Sequence, residues 1–161
     1  MDECELFRMI PKEKIDEVFE KSYSASAECD HTFLAFEKVY KAVSLFVPKG
    51  TTIIDIGCAY AFQAWYFGDY SKYIGVTLDL QDNDVLHTDN SEYYFMSGQK
   101  FIKDVFPTLG LQKENCFAIC SYVPDWELQE QVRKFFPYCL VYYPEAKLRG
   151  NLCTNNLTYS P

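Results

Sequence analysis

The sequence predicts an α/β fold, a mostly parallel sheet of about five strands with helices on both faces. From Thr51 onward, short apolar runs alternate with segments of helical periodicity, the pattern of parallel strands joined by crossover helices. The run Tyr138 to Tyr143 is continuously apolar or aromatic, as expected of a strand covered on both faces. The run Thr52 to Ile56 passes into a turn of small residues and then directly into a helical pattern, the beginning of a strand–turn–helix unit.

Lys12 to Lys21 places Ile15, Val18 and Phe19 on one face among charged neighbours and reads as an amphipathic surface helix. A polar break, Ser22 to Asp30, leads to a second helix with Asp30 as its cap. Phe36, Val39, Tyr40, Val43 and Phe46 or Val47 recur there until Pro48-Lys49-Gly50 stops it. Strands follow at Thr52–Ile56, Tyr73–Leu78, Tyr93–Met96, Cys116–Tyr122 and Tyr138–Tyr143. Helices are expected at Tyr60–Phe67, Lys100–Phe106 and Trp126–Phe136. Asp79 to Ser91 is rich in Asp and Asn, which favour turns, so at most a short helix fits. After Glu145 the chain is polar and holds no further strong strand pair. The organisation expected is one domain: N-terminal helices over 1–50, an α/β core over 51–145 and a polar tail over 146–161.

A chain of 161 residues can bury one continuous core. The net charge of -8 argues against DNA, RNA or anionic lipid as partner, because phosphate binding draws on clustered Lys and Arg. The 13 Phe and 13 Tyr lie mostly in apolar runs and read as core. No apolar run approaches the roughly 20 residues that span a bilayer, and no secretory leader pattern opens the sequence. Its seven cysteines include no C-x-x-C pair. A reduced cytoplasmic setting is therefore expected. His31 and His87 lack ligand-spaced Cys or acidic neighbours, so no metal site is expected.

Asp55-Ile56-Gly57-Cys58-Ala59-Tyr60-Ala61 carries most of the chemical information. Small residues after a buried strand let a ligand approach the backbone, and a helix N-terminus beyond them offers unpaired N–H groups. Cys58 at that terminus is either a reactive thiol or, more commonly, a small buried filler.

This segment resembles motif I of the class I S-adenosylmethionine-dependent methyltransferases, an acidic residue followed by glycines at alternate positions after the first strand. Asp55, Gly57 and Cys58 match it, while Ala59 and Ala61 stand at the second and third glycine positions. Tyr73-Ile74-Gly75-Val76-Thr77-Leu78-Asp79 is similar to the family's second strand, whose terminal acid binds the cofactor ribose. Thr77 occupies that position and Asp79 comes two residues later, so Asp79 serves only if the strand end is shifted or bulged. Met96-Ser97-Gly98-Gln99 resembles the third-strand Gly-Asp that contacts adenine, with Gln99 in place of the acid. Phe117 to Tyr122 corresponds to the fourth strand, whose end faces the transferred methyl group.

The resemblance, over roughly Thr32 to Glu145, implies a Rossmann-like sheet with S-adenosylmethionine as cofactor. It places Asp55, Gly57, Cys58, Ala59, Ala61, Thr77, Asp79 and Gln99 at the cofactor. Ser121, Tyr122 and Asp125 are candidates for the catalytic end, Asp125 also being a natural cap for the helix at Trp126. The substrate implied is a small molecule or a protein; a catalytically inactive binding or regulatory protein on the same fold is the alternative. The family's last two strands have no evident counterpart after Glu145, and the edge so left predicts pairing with a second copy. A nicotinamide-dependent oxidoreductase would use a related loop, but Cys58, the spacing to Gly98-Gln99 and the lack of a substrate domain weigh against it.

Overall fold

The computed structural model describes residues 9–14 and 38–143 in full and residues 157 and 158 in backbone only. Lys12, Glu13 and Lys14 are helical; the rest of the expected first helix, the Asp30 cap and His31 lie outside the described residues. Residues 38–46 are helical (α1) and end before Pro48, whose ring cannot continue a helix.

Five parallel strands follow, β1 (Thr52–Ile56), β2 (Lys72–Thr77), β3 (Ser91–Phe95), β4 (Cys116–Ser121) and β5 (Cys139–Tyr142). A short sixth strand, β6 (Leu157–Thr158), pairs antiparallel with β5, Leu140 opposite Leu157. The sheet order is β3-β2-β1-β4-β5-β6. This is a Rossmann-like α/β fold: the chain fills one side of β1 and then, at β4, the other, and that reversal opens a crevice at the strands' carboxyl ends. The tail thus supplies one two-residue strand and, among the described residues, no strand pair.

β1, β2 and β4 are almost wholly buried along their length, because helices cover both sheet faces. On one face, Ile54, Ile56, Val76, Cys120 and Val141 pack against α2 and α3. Here α2 begins as an α-helix at Gly98–Lys100, widens to a π-helix at Phe101–Val105 and tightens to a 3-10 turn at Phe106–Thr108. Helix α3 is Trp126–Phe135 and inserts Leu128 and Val132. On the other face, Ile53, Tyr73, Phe117 and Ile119 meet Tyr40 and Val43 of α1 and Ala64 and Phe67.

Two local expectations change. The helix after β1 is a six-residue 3-10 helix, Phe62–Phe67, instead of an α-helix from Tyr60. Its aromatic side chains carry little α-helical propensity, and four of its six residues, Phe62, Gln63, Ala64 and Phe67, are buried. Between β2 and β3 only Asp82–Asp84 is helical, again as a 3-10 turn, which suits its turn-forming Asp and Asn residues.

Candidate ligand crevice

At the carboxyl end of β1 the chain must reverse within a few residues, and it does so in conformations normally left to glycine. Gly57 has φ +83, and Ala59 and Ala61 follow at φ 50 and 60. The two alanines standing at glycine positions of the resembled motif therefore keep a left-handed backbone, which costs an L-residue about 1–2 kcal/mol each. Asp79 after β2 (φ 63) and Tyr122 after β4 (φ 60) complete the set. Among the described residues, all four non-glycine residues with positive φ lie at the carboxyl ends of β1, β2 and β4. Such strain collects at functional sites, where surrounding structure enforces it.

Asp55 lies one turn of backbone beneath this rim, fully buried. Its Oδ2 accepts hydrogen bonds from the Tyr73 hydroxyl (2.5 Å) and the Gln63 amide (2.8 Å), and its Oδ1 accepts one from the Tyr40 hydroxyl (3.2 Å). Burial raises its pKa to about 6 against the lowering effect of the three donors. Gln63, itself buried, also donates to the Cys58 carbonyl at 2.9 Å. Asp55 thus joins α1, β2 and the 3-10 helix from below and anchors the turn through Gln63. Neither Gln63 nor the two tyrosines stood out in the sequence; their only signal was a polar group at an otherwise apolar, core-facing position.

The turn's first two N–H groups are already engaged. Gly57 and Cys58 both donate to the Val76 carbonyl, at 2.7 and 3.1 Å, so these two amides are committed to β2. The helix behind the turn is the six-residue 3-10 helix Phe62–Phe67, and Ala61 at its start is left-handed. The Cys58 side chain turns inward, where a Cβ on Gly75 would lie 2.7 Å from its sulfur. Burial pushes its thiol pKa well up, so Cys58 is a packing residue rather than a reactive one.

The remaining sequence candidates fall around the same crevice. Thr77 is buried at the end of β2, its hydroxyl 3.4 Å from the Leu78 carbonyl. The β2 register runs without a bulge or shift through Thr77, so the strand itself does not carry Asp79 into the ribose position; Asp79 follows in a left-handed turn and is exposed. Gln99 donates its amide to Asp125 Oδ2 at 2.8 Å. Asp125 caps α3, its Oδ1 accepting from the Leu128 N–H at 3.0 Å. That backbone bond, with the one from Gln99, holds its carboxyl below the usual range. Gln99 and Asp125 therefore tie the starts of α2 and α3 together.

Ser121 ends β4. It follows Cys120, the register partner of Ile56, and so stands beside Gly57. Its hydroxyl is buried and, among the described residues, has no hydrogen-bond partner, a condition that costs about 1–3 kcal/mol. Next to it, Tyr122 donates its N–H to the Tyr142 carbonyl at 2.7 Å, and the two rings meet edge to face. Val123 then lies over Gly57, its Cγ2 only 2.3 Å from where a Cβ on that glycine would sit. Gln129, buried in α3, holds the Val123 carbonyl at 2.6 Å. Val123 and Gln129 are further residues the sequence reading missed.

These features define a Rossmann-like domain with a polar, strained rim at its topological switch point. No protein-family model and no curated protein matches the chain. Solved structures do resemble it. A candidate type II methyltransferase of Anaeromyxobacter dehalogenans is 13% identical with TM-score 0.45, over 65% of this chain and 46% of that one. A candidate S-adenosylmethionine-dependent methyltransferase of Listeria monocytogenes is 13% identical with TM-score 0.44, over 70% and 59%. An S-adenosylmethionine-dependent methyltransferase of Anabaena variabilis is 14% identical with TM-score 0.46, over 73% and 58%. The chain thus spans about half the length of the proteins it matches. Among the described residues, no helix is long and apolar enough to cross a membrane.

Proposed function

We propose that the chain binds S-adenosylmethionine across the ends of β1, β2 and β4 and serves methyl transfer to a small molecule or a protein. The observation that carries this reading is the confinement, among the described residues, of left-handed, non-glycine backbone to those strand ends, with the Ser121 hydroxyl, unpartnered among the same residues, beside them. Asp79, exposed on the rim, is the acidic group available to ribose hydroxyls, which donate well to a carboxylate. The cofactor would supply an electrophilic methyl group. The chain's own part would then be to hold an acceptor in line and exclude water. Ser121 and Tyr122 are the groups for that end of the crevice; Asp125 is committed to capping.

A second reading, a binding or regulatory domain without catalysis, draws support from Val123 over Gly57 and from the engagement of Gln99 by Asp125. The first reading requires an adenosyl ligand to bind; the second does not. Titration calorimetry with S-adenosylmethionine and S-adenosylhomocysteine, with NAD as control, tests the first. Saturable binding of the adenosyl compounds and none of NAD is expected; no binding at millimolar ligand would falsify the methyltransferase reading and leave the regulatory one standing. Slow cofactor demethylation on adding acceptor mixtures would then separate the enzyme from the binder.

A further inference from the structure

We infer that the segment Tyr122–Pro124 is a strap that covers Gly57 and swings away when an adenosyl ligand enters. The inference rests on the proposed ligand reading and adds to it how the site is controlled. Three observations meet at one place. Val123 Cγ2 occupies the space directly against Gly57, 2.3 Å from its Cβ position, so the approach to the turn's first glycine is covered by the chain itself. Tyr122, a bulky aromatic residue, is held at φ 60 to put Val123 there; this is an outlying conformation for such a side chain. Ser121, immediately before, keeps a buried hydroxyl unsatisfied beside the same glycine.

The closed arrangement therefore carries two local penalties that opening can relieve. Rotation of Tyr122 out of the left-handed region lifts Val123 from Gly57, and a polar ligand group entering the vacated space gives Ser121 Oγ its missing partner. Opposing this are the contacts that latch the strap: the Tyr122 N–H to Tyr142, the edge-to-face rings of the same pair, and the Gln129 amide on the Val123 carbonyl. A state strained at one joint and latched at its neighbours has the form of a two-state element whose balance a ligand shifts by its differential affinity. Asp125 and Gln99 fix the far end of the segment, so the motion is confined to the three residues between Ser121 and Asp125.

The test is calorimetric titration of S-adenosylhomocysteine into the full chain and into two variants, Val123→Ala and Gln129→Met, each first shown folded by circular dichroism. Val123→Ala uncovers Gly57, and Gln129→Met removes a latch without changing side-chain length. Both are expected to bind at least ~5-fold more tightly than the unmodified chain, because less of the affinity is spent on opening. The Tyr122 Cα chemical shift is expected to move from left-handed to extended values on ligand addition. Equal affinity in all three proteins, with Tyr122 unshifted in the complex, would overturn the strap and leave the ligand reading standing. No binding by any of the three would overturn both. Binding by the variants alone would support the strap in its strongest form.

Discussion

Asp55, which the resembled motif places at the cofactor, shows how a buried carboxyl acts on the protein that holds it. Its carboxyl is buried among Tyr40, Gln63 and Tyr73, and desolvation outweighs their hydrogen bonds, raising the pKa from 3.8 to about 6. Between those two values the folded state binds more protons than the unfolded one, so stability falls as pH rises through this window and stays lower above it. The gap corresponds to about 3 kcal/mol. Asp55→Asn offers an uncharged carbonyl to Gln63 and Tyr73 and an amide to the Tyr40 oxygen. Its expected behaviour is an unfolding free energy lacking this fall and, near neutral pH, at least as large as that of the unmodified chain. Urea unfolding of both proteins at pH 4 and pH 7 measures it. Asp69 and Asp125, whose pKa values are lowered, contribute the opposite slope but do so in both proteins and cancel. Parallel pH profiles would refute the assignment.

At the scale of elements, the sequence was most legible where burial and periodicity agree. β1 begins and ends where its apolar run does, and β2 through β5 depart from expectation by only a residue or two at their ends. The segment Phe62–Phe67 was misjudged because its apolar spacing fits a helix of either pitch, and only packing of Phe62, Ala64 and Phe67 decides for the tighter one. The polar framework of the site was hidden for a different reason. Gln63 and Gln129 act through single hydrogen bonds to carbonyls distant in fold rather than in pattern, and nothing in their spacing announces that. The turn itself was legible as a reversal, yet not the fact that alanines sustain it. Ala59 is exposed and Ala61 is buried, which makes their glycine variants diverge. Ala59→Gly relieves the left-handed penalty, partly offset by unfolded-chain entropy, and should stabilise by up to about 1 kcal/mol. Ala61→Gly gains the same relief but loses a buried methyl worth about 0.8 kcal/mol and should be close to neutral or destabilising. Chemical denaturation of the pair reads the difference; destabilisation by Ala59→Gly would show that the turn is not strained there.

For the whole molecule, the topology makes one site from segments far apart in sequence. Residues 57–61, 77–79 and 121–123 converge only because β2 and β4 flank β1 on opposite sides. A groove of about 770 Å³ lined by Ile102, Trp126, Glu130 and Phe135 lies against α2 and α3, and it shares none of those residues. Hydrogen exchange distinguishes the two. In the unliganded chain, β1 and β4, buried and paired on both edges, should exchange slowest, and the Asp79–Asp89 connection, held by few regular backbone bonds, fastest. Adding S-adenosylhomocysteine should slow exchange together in the three rim segments, since a ligand seated at the switch point touches each of them. The exception within residues 121–123 is the Tyr122 amide, which should exchange faster on ligand addition, because opening the strap breaks its bond to Tyr142. Protection confined to residues 126–135 would instead locate binding in the groove against α2 and α3 and leave the strained rim without a ligand to account for it.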